Sequence, residues 1–436
     1  MNYYSTNGKA PLATLEKAVV KGLCEDRGLY MPCSIERLDD DFFRDAPHMT
    51  FQEVACRVAD AFFGQDVPQE DLHAIVSETL SFDCPVVKVE EGIWALELFH
   101  GPTLAFKDVG ARFMARLLQY FNRRSLRGEG LNVLVATSGD TGSAVANGFL
   151  GVDGIKVFVL YPKGKVSAIQ ECQFTTLGKN ITALEIDGTF DDCQALVKNA
   201  FMDTQLCSLK RLTSANSINV ARFLPQSFYY FWAWAQMQKK GLADNLVMCV
   251  PSGNFGNICS ALFAHRMGLP IKRFIAANNS NSVFYEYLQS GVYTPRPSIQ
   301  TLANAMDVGD PSNFARILDL YGHDHDRIRS LISGRVVDDP TIERTIRECL
   351  AQNSYLLDPH GACAYRAVKD GLKDGETAVF CETAHPAKFK DSVERITGAE
   401  VEIPAKLEAF TKGEKRSVPL SKNYEDFKKH LTDNAL

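Results

Sequence analysis

Hydrophobic residues recur at intervals of three and four positions through much of the first 85 residues. This spacing predicts helices over Thr14–Cys24, Phe51–Phe63 and Gln69–Leu80, because it places the apolar side chains on one face of each helix. Little in this part of the chain resembles a strand. We therefore expect residues 1–85 to form a mainly helical N-terminal region.

After residue 85, short apolar runs rich in β-branched residues alternate with helical patterns. The predicted strands are Val133–Thr137, Lys156–Tyr161, Ile181–Ile186, Leu246–Val250, Phe274–Ala277 and Ala378–Cys381. Most of these runs are apolar on both faces, which is typical of parallel strands covered by helices. The alternation predicts an α/β fold, in which ligands bind outside the carboxyl ends of the strands.

Composition and charge narrow the classes of function. The chain has 436 residues, of which 45% are hydrophobic, and its formal net charge is -6, so it has no general attraction for nucleic acid or for anionic membranes. The N-terminus lacks an apolar core of signal-peptide length, and no stretch approaches the length of a membrane span. We expect a cytoplasmic protein that binds neither nucleic acid nor membrane.

Cysteine and histidine spacing does not favour a metal or disulfide framework. The 12 cysteines are scattered and no two are separated by only two residues, so we expect reduced, mostly buried thiols. His323 and His325 form a His-x-His pair that could ligate a metal, but their polar surroundings are more typical of a loop between helices. We expect no metal site.

Lys107 stands in a setting that differs from that of an ordinary surface lysine. It ends the run His100-Gly-Pro-Thr-Leu-Ala-Phe-Lys107, and a helix is predicted to follow directly. An amine among apolar neighbours loses hydration, which favours its uncharged, nucleophilic form. Such an amine is suited to Schiff-base chemistry, although most lysines in a protein are simply solvated.

The first polar strand end is Thr137-Ser-Gly-Asp-Thr-Gly142, which precedes a helical stretch. Hydroxyls and free backbone N–H groups at the start of a helix form a site for a carboxylate or a phosphate. An ordinary helix cap has the same composition, so this motif alone leaves both interpretations open.

A second strand end, Pro251-Ser-Gly-Asn-Phe-Gly-Asn257, leads into a predicted helix from Ile258 to Met267. Two glycines allow the backbone to curl so that successive N–H groups face a phosphate. A plain glycine-rich turn is the alternative. The loop matches neither the P-loop nor the G-x-G-x-x-G pattern, so a nucleotide or dinucleotide site has little support.

A third polar cluster, Ser214-Ala-Asn216-Ser217-Ile-Asn219-Val-Ala-Arg222, lies at the start of a predicted long helix. The guanidinium of Arg222 is suited to a bidentate grip on phosphate or carboxylate, whereas a surface cap with a solvated arginine is the simpler alternative. Together the lysine, the phosphate cradle and the second anion site indicate a pocket for a phosphorylated aldehyde cofactor and an anionic substrate.

These motifs resemble those of the threonine synthase family, which belongs to the pyridoxal-phosphate enzymes of fold type II and is related to tryptophan synthase β. The segments that carry the resemblance follow the family's order: Leu98-Phe-His-Gly-Pro-Thr-Leu-Ala-Phe-Lys-Asp108, Thr137-Ser-Gly-Asp-Thr-Gly142, Pro251-Ser-Gly-Asn-Phe-Gly-Asn257, Asn304-Ala-Met-Asp-Val-Gly309 and His385-Pro-Ala-Lys-Phe-Lys390. The resemblance covers nearly the whole chain, including the helical N-terminal region.

The resemblance implies a domain organisation. The fold would be α/β, with two open, mainly parallel twisted sheets covered by helices. The catalytic region that binds pyridoxal phosphate would span residues 86–390, with a smaller sheet domain at roughly 100–220 and a larger domain mainly at 221–390 that includes part of the N-terminal segment. A charged, helical C-terminal segment would occupy 391–436.

The resemblance also implies how the cofactor is held. Lys107 would carry pyridoxal 5'-phosphate through its amine and act as the catalytic base. Asp140 would lie near the cofactor's phenolic oxygen, where many relatives have asparagine, and Thr383 would face the pyridine nitrogen and leave it largely unprotonated. The cofactor phosphate would be bound by Gly253, Asn254, Phe255, Gly256 and Asn257.

The implied substrate is O-phospho-L-homoserine, converted with water into L-threonine and phosphate by γ-elimination and β-addition in the last step of threonine biosynthesis. Its carboxylate and phosphate would be bound by Thr137, Ser138, Thr141, Asn216, Ser217 and Arg222.

Three other functions share parts of this pattern. A phospholyase or dehydratase on the same scaffold would release a 2-oxo acid, and a second possibility is a protein that binds the cofactor without turnover. The third is a nucleotide-binding α/β protein that uses the loop 253–257. The sequence is compatible with a monomer or a homodimer, because the aromatic stretch Phe228–Trp234 suits a core or an interface equally well.

Overall fold

The computed structural model describes residues 1–124 and 130–436. The chain forms two compact units, and each unit is assembled from separate segments of sequence. The first unit contains Met1, Pro32–Phe106 and Phe223–Glu402. The second contains Asn2–Met31, Lys107–Arg222 and Ile403–Leu436.

The strands of the described chain confirm the six predicted ones and add others. In chain order they are β1 (Asn2–Ser5), β2 (Ala13–Thr14), β3 (Tyr30–Pro32), β4 (Val86–Glu90), β5 (Ile93–Glu97), β6 (Leu131–Ala136), β7 (Ile155–Pro162), β8 (Ile181–Asp187), β9 (Arg211–Ser214), β10 (Leu246–Pro251), β11 (Arg273–Asn278), β12 (Ile332–Val336), β13 (Thr377–Glu382) and β14 (Val418–Ser421). The predicted strands are β6, β7, β8, β10, β11 and β13.

The helices follow the apolar periodicity of the sequence. They are α1 (Leu15–Lys21), α2 (Asp40–Asp45), α3 (Phe51–Phe63), α4 (Gln69–Thr79), α5 (Lys107–Arg124), α6 (Asp140–Gly148), α7 (Ala168–Thr175), α8 (Phe190–Met202), α9 (Thr204–Leu209), α10 (Val220–Phe223), α11 (Ser227–Lys239), α12 (Gly256–Arg266), α13 (Val283–Ser290), α14 (Phe314–Leu320), α15 (His325–Leu331), α16 (Asp339–Asn353), α17 (Pro359–Gly371), α18 (Lys390–Thr397), α19 (Ala405–Thr411) and α20 (Tyr424–Asn434). Short 3-10 turns occur at Ala46–His48, Leu224–Gln226, Asn304–Met306 and Pro386–Phe389.

The bounds of α3 match the prediction because its first turn is closed by a capping box. The Thr50 hydroxyl accepts the N–H of Glu53 at 3.3 Å, and the Glu53 carboxylate accepts the N–H of Thr50 at 2.7 Å. Helices α1 and α4 also lie within their predicted ranges.

The first unit contains a six-stranded sheet in the order β12-β11-β10-β13-β5-β4. All neighbouring pairs are parallel except β4 and β5, which form an antiparallel edge. Helix α17 packs on β10, β11 and β13, and its residue Ala364 shares one buried core with Cys249 and Phe380. Because β10 and β13 are parallel neighbours, the loops that follow Pro251 and Glu382 begin at the same edge of this sheet.

The second unit contains a five-stranded parallel sheet in the order β14-β8-β7-β6-β9. Leu134 of β6 pairs with Ser214 of β9, so the polar segments that follow these two strands also begin at a common edge. The core beside this sheet includes Phe158, Leu196 and Phe427 from β7, α8 and α20.

Residues 1–85 contain a three-stranded sheet, β2-β1-β3, where little strand was expected. Two further elements also differ from the sequence-based expectation. The long helix expected after Ser214 is interrupted: α10 is short, and a 3-10 turn that contains Pro225 separates it from α11, because proline cannot donate the N–H that a continuous helix requires. The expected helical segment 391–436 contains the strand β14 as well. Its Pro419 is tolerated because β14 is an edge strand that pairs only with β8.

Candidate active site

Lys107 is the first residue of the 18-residue helix α5 and is half-buried. The chain that leads into it is fixed on both sides: the N–H of Phe106 donates to the carbonyl of Thr383 at 2.8 Å, and the Tyr229 hydroxyl donates to the Phe106 carbonyl. The positive end of the helix dipole disfavours an ammonium group at this position. The backbone that leads into Lys107 is therefore held in place at the positive end of the α5 dipole.

The loop that follows β10 has a shape that only glycine permits at its first position. A Cβ atom on Gly253 would lie 2.7 Å from Cα of Met306 and 2.8 Å from the carbonyl oxygen of Ala305. Two residues later Phe255 has a left-handed backbone with φ of 63°, and its buried ring packs against Phe284 with ring centroids 4.5 Å apart. This packing holds the strained turn in place.

The same loop is held from outside by the segment before α14. Oδ1 of Asn254 accepts the N–H of Ser312 at 2.7 Å, and the Asn254 carbonyl accepts Nδ2 of Asn313 at 3.0 Å. The N–H groups of the first turn of α12 have no acceptor within their own helix, as in any helix N-terminus. The fixed loop therefore presents backbone donors in the arrangement that binds phosphate in other proteins.

Asn257 supplies a further donor to this loop. Its Oδ1 accepts the Tyr230 hydroxyl at 2.6 Å, while its buried Nδ2 has no hydrogen-bond partner among the described residues. Leaving a buried N–H donor unsatisfied costs about 1 to 3 kcal/mol. A phosphate oxygen would satisfy it, so the loop fits the phosphate of pyridoxal phosphate.

Thr383 follows directly after β13 and is buried. The parallel pairing of β10 and β13 brings it to the same edge of the sheet as the loop from Gly253 to Asn257. A hydroxyl at this edge fits the expected partner of the cofactor's ring nitrogen.

Within the second unit, the segment after β6 forms a tight turn. The fully buried Thr137 hydroxyl accepts the N–H groups of Gly139 at 2.9 Å and of Gly142 at 2.8 Å, so this oxygen holds the turn itself. Ser138 and Thr141 lie in the same turn and are half-buried. Thr137 therefore supports the turn, whereas Ser138 and Thr141 remain candidates for contact with a ligand.

Asp140 begins α6 and is almost fully buried. Its Oδ1 accepts Nε2 of Gln170 at 2.8 Å. A Cβ atom on Gly139, whose φ is 142°, would lie 2.5 Å from the same Gln170 amide, so Gln170 also requires glycine at position 139. Nothing near Gln170 in the sequence indicates this role.

The segment after β9 is tied to the end of β6. Nδ2 of Asn216 donates to the Ala136 carbonyl at 3.0 Å, which brings Asn216 and Ser217 beside the turn that begins at Thr137. Arg222 is only 2% exposed, and its Nη1 donates to the carbonyl of Ala215.

Arg222 also lies against the helix that begins with Lys107. A Cβ atom on Gly110 would overlap the Arg222 carbonyl oxygen, so α5 passes this residue at close range. Gly110 is three residues after Lys107, which places it about one helical turn away on a similar face. The second unit thus gathers the lysine and the predicted substrate-binding residues, while the first unit gathers the predicted phosphate loop and Thr383.

The fold and these sites define a class of protein. Residues 78–383 match the family of pyridoxal-phosphate dependent enzymes. Residues 2–80 match the threonine synthase N terminus, and residues 361–431 match the C-terminal region of threonine synthase.

Individual relatives agree with these matches. A threonine synthase of Haemophilus influenzae is 46% identical over 409 residues, with 94% of each chain covered. The crystal structure of Escherichia coli threonine synthase superposes with a TM-score of 0.94 at 41% identity, covering 99% of this chain and 100% of the other. A PLP-bound threonine synthase from Brucella melitensis has a TM-score of 0.91 at 36% identity, with 99% of each chain covered.

The chain therefore belongs to the threonine synthase family, whose members are pyridoxal-phosphate-dependent lyases of threonine biosynthesis. This result confirms the resemblance, the fold class, the enzyme class and the cofactor, and it does not favour the phospholyase alternative. Within residues 1–124 and 130–436, no helix combines the length and the apolar character that a membrane crossing requires.

Proposed function

We propose that this chain converts O-phospho-L-homoserine and water into L-threonine and phosphate. The observation that carries the proposal is the position of the buried Arg222, which packs against α5 at Gly110, one helical turn from Lys107. A guanidinium there, together with the hydroxyls of Ser138 and Thr141, provides donors for an anionic substrate near the reactive amine.

Pyridoxal phosphate, when bound, supplies an electron sink that stabilises negative charge on the substrate carbon next to the nitrogen. In our proposal Lys107 holds this cofactor through its amine. The loop from Gly253 to Asn257 binds its phosphate, with the Nδ2 atom of Asn257 as one donor. Thr383 faces the ring nitrogen and Asp140 the phenolic oxygen.

The proton transfers are assigned to one amine. Lys107 removes a proton from Cα of the substrate and then one from Cβ, after which phosphate leaves from Cγ. The same amine returns one proton to Cγ and the other to Cα, water adds its hydroxyl at Cβ, and the remaining proton of water leaves on the phosphate. Each transfer requires an amine that is neutral at working pH, which the start of α5 favours.

The substrate's charged groups are assigned to the polar segments that follow β6 and β9. Arg222 holds the phosphate as it departs and so stabilises the charge that develops on the leaving group. Together with Arg222, the side chains of Ser138, Thr141, Asn216 and Ser217 bind the substrate's carboxylate and phosphate.

Thr137 holds the turn that carries Ser138 and Thr141. We further propose that the enzyme acts in the cytoplasm as a monomer or a homodimer.

The decisive experiment combines a spectrum with product analysis. The visible spectrum of the purified protein should show a cofactor band that shifts when O-phospho-L-homoserine is added, and threonine and phosphate should appear in equal amounts. Phosphate with 2-oxobutyrate and no threonine would reassign the reaction as that of a phospholyase. A colourless, inert protein would contradict the proposal.

The site of cofactor attachment is tested separately. Borohydride reduction followed by peptide mass spectrometry should place the cofactor's mass on Lys107. Lys107→Ala should lose this adduct and the activity, whereas Lys422→Ala, at an exposed position in the loop before α20, should keep both. An adduct on another lysine in the wild-type protein would exclude Lys107 as the attachment site.

A further inference from the structure

The first unit contains a buried polar network that the proposed mechanism does not use. Asp358 is the N-cap of α17, and its N–H donates to Oε1 of Glu382 at 2.7 Å. The Asp358 carboxylate in turn accepts the N–H of His360 at 2.8 Å. Asp358 and Glu382 are fully buried and His360 is 2% exposed. Burying polar and ionisable groups costs free energy, so a buried network of this kind is expected to have a structural or functional role.

Burial and the neighbouring Asp358 raise the pKa of Glu382 well above its usual range. The Asp358 carboxylate also contacts the ring of His360 through its Oδ1 atom.

The contacts of His360 fix its tautomer. Its Nε2 lies 3.2 Å from the backbone nitrogen of Ala305, whose N–H must donate, so Nε2 is the acceptor. The proton therefore resides on Nδ1, which donates to Oδ1 of Asp358 at 2.5 Å. His360 therefore connects the start of α17 to the backbone at Ala305.

The backbone of Ala305 and Met306 forms a wall against which the phosphate loop packs. A Cβ atom on Gly253 would lie 2.8 Å from the Ala305 carbonyl oxygen and 2.7 Å from Cα of Met306, so the loop rests directly on this backbone. The opposite end of the same segment is held by Asp307, which accepts the Thr301 N–H at 3.0 Å and Nδ2 of Asn279 at 2.8 Å. His360 therefore contacts the part of the wall that lies against Gly253.

We propose that His360 is a positioning residue for the cofactor's phosphate, acting through the Ala305 N–H and the backbone behind Gly253. His360 fixes the backbone at Ala305, this backbone supports the loop at Gly253, and the loop binds the phosphate. The proposal rests on the assignment of the loop from Gly253 to Asn257 as the phosphate site, made above.

Two substitutions at His360 separate this role from a general structural one. In His360→Asn, the amide nitrogen takes the place of Nδ1 and keeps the contact with Asp358, but nothing reaches Ala305. In His360→Gln, the longer side chain places its oxygen near the former Nε2 and can accept the Ala305 N–H. Each variant loses one hydrogen bond, so both should lose similar thermal stability.

The readout is the dissociation constant of pyridoxal phosphate for the apoprotein, measured by absorbance titration alongside the melting temperature. His360→Asn should raise this Kd by about tenfold or more, and His360→Gln should restore it to within about threefold of wild type. An unchanged Kd in His360→Asn would overturn the proposal, as would an equal rise in both variants that follows their loss of stability.

A second substitution approaches the same contact from its other end. Ala305→Pro removes the donated N–H at a position within a 3-10 turn, where proline is compatible with the backbone, and leaves the His360–Asp358 pair intact. It should raise the cofactor Kd as His360→Asn does. This variant decides the question if the asparagine variant does not fold, and an unchanged Kd in it would equally refute the role.

Failure of this inference and failure of the phosphate-site assignment give different results. Asn257→Ala should raise the cofactor Kd because it removes a donor from the loop itself. If Asn257→Ala raises the Kd and the His360 and Ala305 variants do not, only the role of His360 is wrong. If none of the variants changes the Kd, the loop does not bind the phosphate, and both assignments fail.

Discussion

The hydroxyl of Tyr230 donates a hydrogen bond of 2.6 Å to Oδ1 of Asn257, and both side chains are buried. Tyr230 lies on α11 and Asn257 in the first turn of α12, so the bond joins two neighbouring helices of the first unit. It also fixes the amide of Asn257, because an oxygen that accepts from Tyr230 leaves Nδ2 as the donor for a ligand.

Removing this hydroxyl should weaken cofactor binding. Burial raises the pKa of Tyr230 far above its usual range, so the phenol stays protonated and acts as a donor. We expect Tyr230→Phe to raise the Kd of pyridoxal phosphate by about tenfold and to lower the free energy of unfolding by about 1 to 2 kcal/mol. Titration of the apoprotein and urea unfolding measure the two effects.

A matched control exists in the same unit. The buried hydroxyl of Tyr321 has no hydrogen-bond partner in the described structure, so Tyr321→Phe should leave the Kd unchanged and should not reduce stability. Equal effects of the two substitutions would contradict the assigned role of Tyr230.

Arg222 should be essential for turnover and dispensable for cofactor binding. We expect Arg222→Ala to lower kcat/KM by about a thousandfold, because the leaving phosphate loses its main cationic partner, while cofactor absorbance stays intact. Steady-state assays and the visible spectrum check these expectations. Arg123→Ala, at an exposed position near the end of α5, should have wild-type kinetics. A wild-type kcat/KM in Arg222→Ala would remove Arg222 from the site.

Gly361 in α17 should resist replacement by alanine despite its helical position. Alanine normally stabilises a helix by about 1 kcal/mol relative to glycine. A Cβ atom at position 361, however, would overlap Oε2 of the buried Glu382. We expect Gly361→Ala to destabilise the protein by about 3 kcal/mol, because the surrounding side chains cannot move apart at low cost.

Gly371 provides the comparison within the same helix. The methyl group of an alanine at this position would lie 3.6 Å from Cδ1 of Ile275, which is ordinary van der Waals contact. Gly371→Ala should leave stability unchanged or raise it by about 0.5 to 1 kcal/mol. Urea unfolding of both variants tests the pair, and a similar midpoint shift in both would show that the contact with Glu382 is unimportant.

The ion pair between Glu376 and Arg273 should make stability depend on pH. Nε and Nη2 of Arg273 donate to the two carboxylate oxygens of Glu376 at 3.0 and 2.5 Å, and this pairing lowers the pKa of Glu376 to about 2. Because the pKa in the folded state lies below that in the unfolded state, the stabilisation is complete above pH about 4.3 and is lost as the pH falls toward 2.

Glu376→Gln should therefore lower the free energy of unfolding at pH 7 by about 2 to 3 kcal/mol. The difference between variant and wild type should shrink as the pH falls from about 5 to 2. Unfolding curves at several pH values measure it. Glu408→Gln, at an exposed position, should show little difference throughout. A gap for Glu376→Gln that does not change with pH would contradict the assignment.

The strands predicted from the sequence are those whose apolar pattern is evident without knowledge of the neighbouring strands. β6, β7 and β10 are apolar on both faces because both faces are covered. β4 and β5 were missed because their half-apolar patterns also suit other structures, although Gly92, with a φ of 73°, marks the turn between them. β14 has only four residues and becomes a strand by pairing with β8, a partner far away in sequence.

The predicted site residues share a local signal, since polar and glycine residues follow a buried strand. That signal identifies Thr137 and Gly253 as site residues. It does not show what each residue does, because this depends on the hydrogen bonds of the Thr137 hydroxyl and on the backbone that lies behind Gly253. Tyr230, Gln170 and His360 act through contacts with residues at least 27 positions away in the chain. No spacing rule in one sequence identifies such partners.

The position of β14 has a consequence for synthesis of the chain. β14 covers the outer edge of β8, but about 230 residues separate the two strands. At ribosomal rates of roughly 5 to 20 residues per second, the backbone N–H and C=O groups along that edge remain unpaired for roughly 10 to 50 seconds before β14 is synthesised. An unpaired strand edge is a template for pairing with other chains. During this time chaperone binding and aggregation compete for the nascent protein, and the period ends when β14 pairs with β8.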